Sequence, residues 1–217
     1  MLNAEQISKN YEKHLKIVDT YIGDRTDGIK SMLHHMQETY MMAPASGKTW
    51  YHNAFAGGYV DHVNRVVQFA IEQSRLYEKM GGTIDYTEEQ LVFSALFHDL
   101  GKIATPSEIL TKPSKLSDIE MSLIKEHPET GYEILKDIPF PWQIAMMVRQ
   151  HHERLDGSGY PHGLKANEIL LEARILAVAD TIEAISTHRP YRPSLGTDKA
   201  IEQITLEAGT RLDPDIV

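Results

Sequence analysis

Residues 171–185, LEARILAVADTIEAI, read as one helix with a difficulty inside it. Leu171, Ile175, Leu176, Ala179, Ile182 and Ile185 recur at helical spacing, the pattern of a face packed against protein. Asp180 falls among them. A carboxylate on such a face is costly unless something of opposite character meets it. The stretch predicts a helix inside an α-helical protein, with a polar centre in its core.

The same periodicity runs outward along the chain. Ile7, Tyr11, Leu15 and Val18 form a stripe behind a cap at Asn3, and Ile29, Met32, Leu33, Met36 and Tyr40 form another after a break at Asp27-Gly28. MMAPASGK (41–48) reads as a loop. Val60, Val63, Val66, Val67, Ala70 and Ile71 mark a third helix, ended by Gly81-Gly82. Capping boxes at Thr87/Gln90 and Ser117/Glu120 open two more, the first reaching Asp99. Pro128 and Pro141 are placed as first helical residues, and Thr197 to Ala208 gives a last helix. No alternating strand pattern or repeat interrupts the series, so the fold class is all-α, with a seam near residues 43–50.

Composition narrows the chemistry. The chain has 217 residues, 41% hydrophobic and 24% charged, enough to bury a core. No apolar run approaches the roughly 18 residues of a membrane span, and the polar start does not resemble a targeting peptide. Without cysteine there is no disulfide or thiolate site, so any metal is held by nitrogen and oxygen. These features point to the cytoplasm and to no membrane partner. A net charge of −9 argues against wrapping duplex nucleic acid, though not against a small anionic ligand met by local cations.

Eleven histidines are many for this length, and some fall at telling places. His98-Asp99 ends a helix in FHDLGK, and His62 lies inside the third helix. His127 stands before Pro128, where it could equally serve as a cap. His151-His152 end a helix ahead of the glycine-rich run of HHERLDGSGYP (151–161), which could be an ordinary turn. Together with Asp180 these are seven nitrogen and oxygen donors on helix ends or apolar faces. That set suits two ions of octahedral preference, Fe or Mn, and an aspartate beside a histidine can bridge a pair. His14, His34, His35, His162 and His188 are placed on the surface, and His52 is left open.

At this point the chain resembles a family. From about residue 59 onward it is similar to the HD superfamily of metal-dependent phosphohydrolases, and from Leu91 to its HD-GYP branch. The matching stretches are HDLGK (98–102), KPSKL (112–116), KEHPETGYEIL (125–135), HHERLDGSGYP (151–161) and ARILAVADTIEAISTHRPYR (173–192). The resemblance implies an HD-domain helical bundle hydrolysing cyclic di-GMP or a related cyclic dinucleotide. It implies His62, His98, Asp99, His127, His151, His152 and Asp180 as metal ligands, with Asp99 bridging. Lys102 would contact the scissile phosphate, and Tyr160, in the loop at the pocket rim, would also bind substrate. Arg189 and Arg192 would hold the substrate's guanine or phosphate, the alternative for them being a solvated surface pair. Asp99 and Lys102 are thus the implied catalytic residues, with hydroxide generated by the ions attacking phosphorus in line.

The chain also departs from that pattern. Some HD-GYP proteins hold a third metal with a Glu one turn before the first histidine, but here that position is Gly58, which favours two ions. YHNAFAGGYVDHVNRVV (51–67) is closer to HD-type nucleases and nucleotide phosphohydrolases. Residues 1–45 leave room for a helical extension rather than a receiver or sensor domain, with 46–217 as the catalytic domain. Asp213-Pro214 resembles a helix start close to Val217, which raises the question of a further helix. Two rival functions stand beside the main one: an HD phosphohydrolase for nucleotides or short RNA, and a cyclic-dinucleotide-binding module without turnover. A homodimer is left open.

Overall fold

The computed structural model describes residues 2–35, 37–43, 57–110, 112, 116–187 and 196–217. His52, His188, Arg189 and Arg192 lie outside them. Helices α1 (Ala4–Tyr21), α2 (Thr26–His35) and α3 (Gln37–Met42) precede the long α4 (Gly58–Lys79) and α5 (Glu88–Phe97). A 3₁₀ turn, Leu100–Ala104, leads through α6 (Ser107–Leu110) to α7 (Asp118–Lys125) and α8 (His127–Leu135). Then come α9 (Ile144–Gln150), α10 (Leu171–Ser186) and α11 (Gly196–Glu207). The fold is all-α: among the described residues only two isolated β-bridges occur, and no helix is long and apolar enough to cross a membrane.

Helix α10 is the hub. It packs on α4 and α11, while α5 bridges α4 to α9 and α8 sits between the 3₁₀ turn and α9. Ile175, Leu176, Val178 and Ala179 of α10 share one core with Val63, Val66 and Val67 of α4 and Leu91 to Leu96 of α5. Tyr11, Ile17 and Val18 of α1 join the same core. Two helix starts carry full capping boxes, Asn3 with Gln6 and Ser117 with Glu120, so orphan N–H groups are met reciprocally. Thr87 accepts from the Gln90 backbone N–H at 3.2 Å.

Several expectations need correction. Asp27-Gly28 lies inside α2, because the break falls earlier: the Thr26 N–H bonds Gly23 O at 3.0 Å and starts the helix there. Gly28 has nothing near it, and an open helical glycine costs only about 1 kcal/mol. Of that stripe Leu33 is buried and Met32 exposed. Pro141 does not open a helix. Phe140 and Trp142 are anchored edge-on to Phe93, at 5.0 and 6.5 Å between ring centroids, and the chain turns helical only at Ile144. Helix α5 stops at Phe97 with His98 as its cap. Asp213-Pro214 forms a turn, with the Ile216 and Val217 N–H groups donating to Asp213 O.

His14 is buried rather than at the surface. The inner face of α1 is Ile7, Tyr11, His14, Ile17 and Val18, with Leu15 partly buried against the same core. Its Nδ1 meets Asn64 Oδ1 at 2.8 Å, and Asn64 Nδ2 donates to Asn10 O. Burial pulls this imidazole down to about 4, against a partial lift from Asn64. The unfolded chain takes up the proton near 6.5 and the folded chain does not, so stability is present above that value and is lost on acidification. The loss by pH 4 is expected to be about 3 kcal/mol. Urea unfolding of the parent and His14→Gln from pH 7 to pH 4 should show a smaller decline in the variant; parallel curves would contradict the assignment.

Candidate metal centre

Three helix ends and two helix faces converge in the core. His98 caps α5, His151 caps α9, and His127 opens α8 directly after α7. Each of these histidines turns its Nδ1 back onto the carbonyl three residues earlier: Ala95 at 2.7 Å, Val148 at 2.6 Å and Ile124 at 2.7 Å. Those carbonyls lie in the last turn of a helix, where intrahelical donors run out. A carbonyl can only accept, so Nδ1 carries the hydrogen and Nε2 presents a lone pair. His62, mid-helix in α4, instead sets its Nδ1 against Glu183 Oε2 of α10 at 2.8 Å.

The freed Nε2 atoms then face one another. His62 and His98 bring theirs to 3.2 Å, and His127 and His151 bring theirs to 3.3 Å. Ring nitrogens that close must share either a hydrogen or a cation. Asp99 sits in the middle. Its Oδ2 is 3.3 Å from His62 Nε2 and 3.5 Å from His98 Nε2. Its Oδ1 is 3.2 Å from His127 Nε2 and 4.0 Å from His151 Nε2. Donors about 2.1 Å from an ion and at right angles would stand about 3 Å apart, so these spacings fit metal ligation. Asp180 adds a buried Oδ1 without a hydrogen-bond partner, 3.5 Å from His62 Nε2. A buried carboxylate oxygen left unmatched calls for a cation.

Two donor groups result that could hold metal: His62, His98 and Asp99, and Asp99, His127, His151 and His152. Burial keeps the His98, His151 and His152 imidazoles below the usual histidine range, with neighbouring imidazoles adding to it, and neutral imidazole is the form that binds metal. At His62 burial pulls the same way, but Glu183, Asp99 and Asp180 outweigh it and raise the group to about 10. That corner draws positive charge. Burial would push the Asp99 carboxyl up, yet Lys102 and the imidazoles hold it well below the carboxylate range. Lys102 Nζ is 2.5 Å from Asp99 Oδ2.

The glycine run after His152 folds back over the histidines. A Cβ on Gly159 would come within 2.4 Å of Arg154 N, so only glycine permits the close return. Tyr160 then stacks on His152, with ring centroids 4.7 Å apart, and Lys125 Nζ stands 5.3 Å over the Tyr160 ring. Buried Glu153 pins this loop by accepting the N–H groups of His162 at 2.7 Å and Leu164 at 2.9 Å. Sequence reasoning missed Glu153 and Glu183. Glu183 had a signal, since it lies one turn from Asp180 on the same helix; Glu153 had none.

With the histidines and aspartates assembled, comparison with known proteins is informative. The model of the HD domain matches residues 61–216. This chain belongs to the HD domain family. A Xanthomonas campestris pv. campestris protein named cyclic di-GMP phosphodiesterase response regulator RpfG is 37% identical over 169 residues, 77% of this chain and 43% of its own length. A Thermotoga maritima protein named cyclic di-GMP phosphodiesterase is 38% identical over 145 residues, 66% of this chain and 39% of that one. A Vibrio cholerae protein named 3'3'-cGAMP-specific phosphodiesterase 3 is 40% identical over 123 residues, 56% of this chain and 26% of its own. The HD domain chain thus spans less than half the length of these relatives. Among solved structures it is similar to Bd1817, a HDG"Y"P protein from Bdellovibrio bacteriovorus, with a TM-score of 0.57 and 16% identity over 99% of this chain and 62% of that one, a likeness of fold.

Proposed function

We propose that this HD domain is a metal-dependent phosphodiesterase of the HD-GYP branch that hydrolyses cyclic di-GMP or a related cyclic dinucleotide. The observation that carries the reading is the split of Asp99, whose two oxygens each face a different pair of imidazole nitrogens. That split supports a reading with two ions. One side would be held by His62, His98, Asp99 and Asp180, the other by Asp99, His127, His151 and His152. Nitrogen and oxygen donors without sulfur suit Fe or Mn. Bound there, such ions supply Lewis acidity, making water a stronger nucleophile and drawing charge from a phosphate oxygen.

The remaining roles belong to the chain's own side chains. Lys102, already beside Asp99, would place an ammonium where negative charge builds on the reacting phosphate. Tyr160 and its loop would close the rim on the His152 side. Arg189 and Arg192, outside the described residues, are assigned from the sequence pattern to the substrate's far portion, where a guanidinium pairs with phosphate or the guanine edge. Residues 46–217 would form the catalytic domain and residues 1–45 a helical extension packed on it. The relatives' names supply the substrate class.

The test is a product assay under anaerobic conditions with Fe(II) or Mn(II). Cyclic di-GMP or 3'3'-cGAMP should be cleaved at least about a hundredfold faster than deoxynucleoside monophosphates. The reverse ranking would assign the domain to nucleotide hydrolysis. Tight binding of the cyclic dinucleotide without any product would make it a sensing module.

A further inference from the structure

The four histidines on Asp99 are not equivalent. Three hold Nδ1 on a backbone carbonyl from a helix end, which is neutral. His62 holds its Nδ1 on the carboxylate of Glu183, 2.8 Å away, and both side chains are fully buried. Helix α10 supplies this group and Asp180 from positions three apart, so one helix face delivers a direct carboxylate and an indirect one to the same corner. On the opposite side of Asp99 the donors are His127, His151 and His152, with no further carboxylate in that group among the described residues. His152 is also the partly exposed member.

We infer that Glu183 is a positioning residue that makes the His62 side of the centre the tighter metal subsite, filled before the His127 side. The inference rests on the two-ion reading given above. A carboxylate behind a ligating imidazole fixes the ring and raises its basicity. In a buried site its charge also favours a dication directly, because little water screens it. The His62 side gains both effects and Asp180 as well. The His127 side relies on its half of Asp99 and on His127, His151 and His152.

Anaerobic calorimetric titration of the metal-stripped full chain with Mn(II) tests the assignment. The parent should bind in two steps at least about tenfold apart in Kd. Glu183→Gln keeps an acceptor for the His62 hydrogen but removes the charge. It should weaken the first step about 10- to 100-fold and leave the second at the parent value. Asp180→Asn should act on the first step alone and His152→Ala on the second alone, which ties each step to its side. Equal weakening of both steps in Glu183→Gln would mean a general packing role and would overturn the inference, as would two indistinguishable steps in the parent. A parent that binds no Mn(II) or Fe(II) would instead remove the two-ion reading itself, and this inference with it. Circular dichroism reports whether each variant folds. Should Glu183→Gln not fold, Glu183→Asp retains the charge one methylene further back and should weaken the first step only; loss in both steps would again contradict the assignment.

Discussion

Replacing Asp99 with alanine is expected to empty both halves of the centre and to lower turnover below about a thousandth of the parent rate. The size of the effect follows from position. Asp99 is the residue that the two donor groups share, through Oδ2 on one side and Oδ1 on the other. Its removal leaves two sets of imidazoles without the anion they share. His98 stays in place through its bond to Ala95 O, and His127 through its bond to Ile124 O, so the fold around the centre should persist. Metal content by inductively coupled plasma mass spectrometry, beside far-ultraviolet circular dichroism, checks both parts. A folded variant that keeps full metal content would refute the bridging role.

Gly101→Ala should be the most damaging single methyl addition in the HDLGK stretch. A Cβ at that position would lie 1.9 Å from the His127 carbonyl oxygen and 2.6 Å from the Gly131 nitrogen, both backbone atoms in α8. Neither can swing aside as a side chain would. The 3₁₀ turn and α8 must separate, and with them Asp99 and His127, whose Oδ1 and Nε2 are 3.2 Å apart. Displacement of about 1 Å at reacting or ligating groups typically costs about a hundredfold in rate. Overpacking of this kind also destabilises by about 2 kcal/mol. Kinetics and thermal melting of the variant test the two effects together. Full activity at parent stability would mean that this contact does not set the His127 position.

Much of this architecture is legible along the chain because it depends on local rules. The apolar period of Leu171 to Ile185 marks α10, the cap at Asn3 marks the start of α1, and the box at Ser117 marks another helix start, its cap and partner lying three residues apart. The metal-binding candidates are legible for a related reason. Histidines at helix ends find their tautomer-fixing carbonyls within their own turn, so position in a helix already hints at role. What escapes is whatever a distant segment decides. His14 reads as one more surface histidine until Asn64, 50 residues away, is seen against it. Glu183 reads as one more acid on a helix until His62, 121 residues earlier in the chain, is seen against it. Pro141 has every local mark of a first helical residue, yet the grip of Phe93 on its aromatic neighbours delays α9.

Anomalous diffraction at the iron and manganese edges, from crystals of protein purified anaerobically without chelators, tests the two-ion centre most directly. The expected result is two peaks, one on each side of the Asp99 carboxylate, the first among His62, His98 and Asp180 and the second among His127, His151 and His152. A single peak, or peaks away from Asp99, would contradict it.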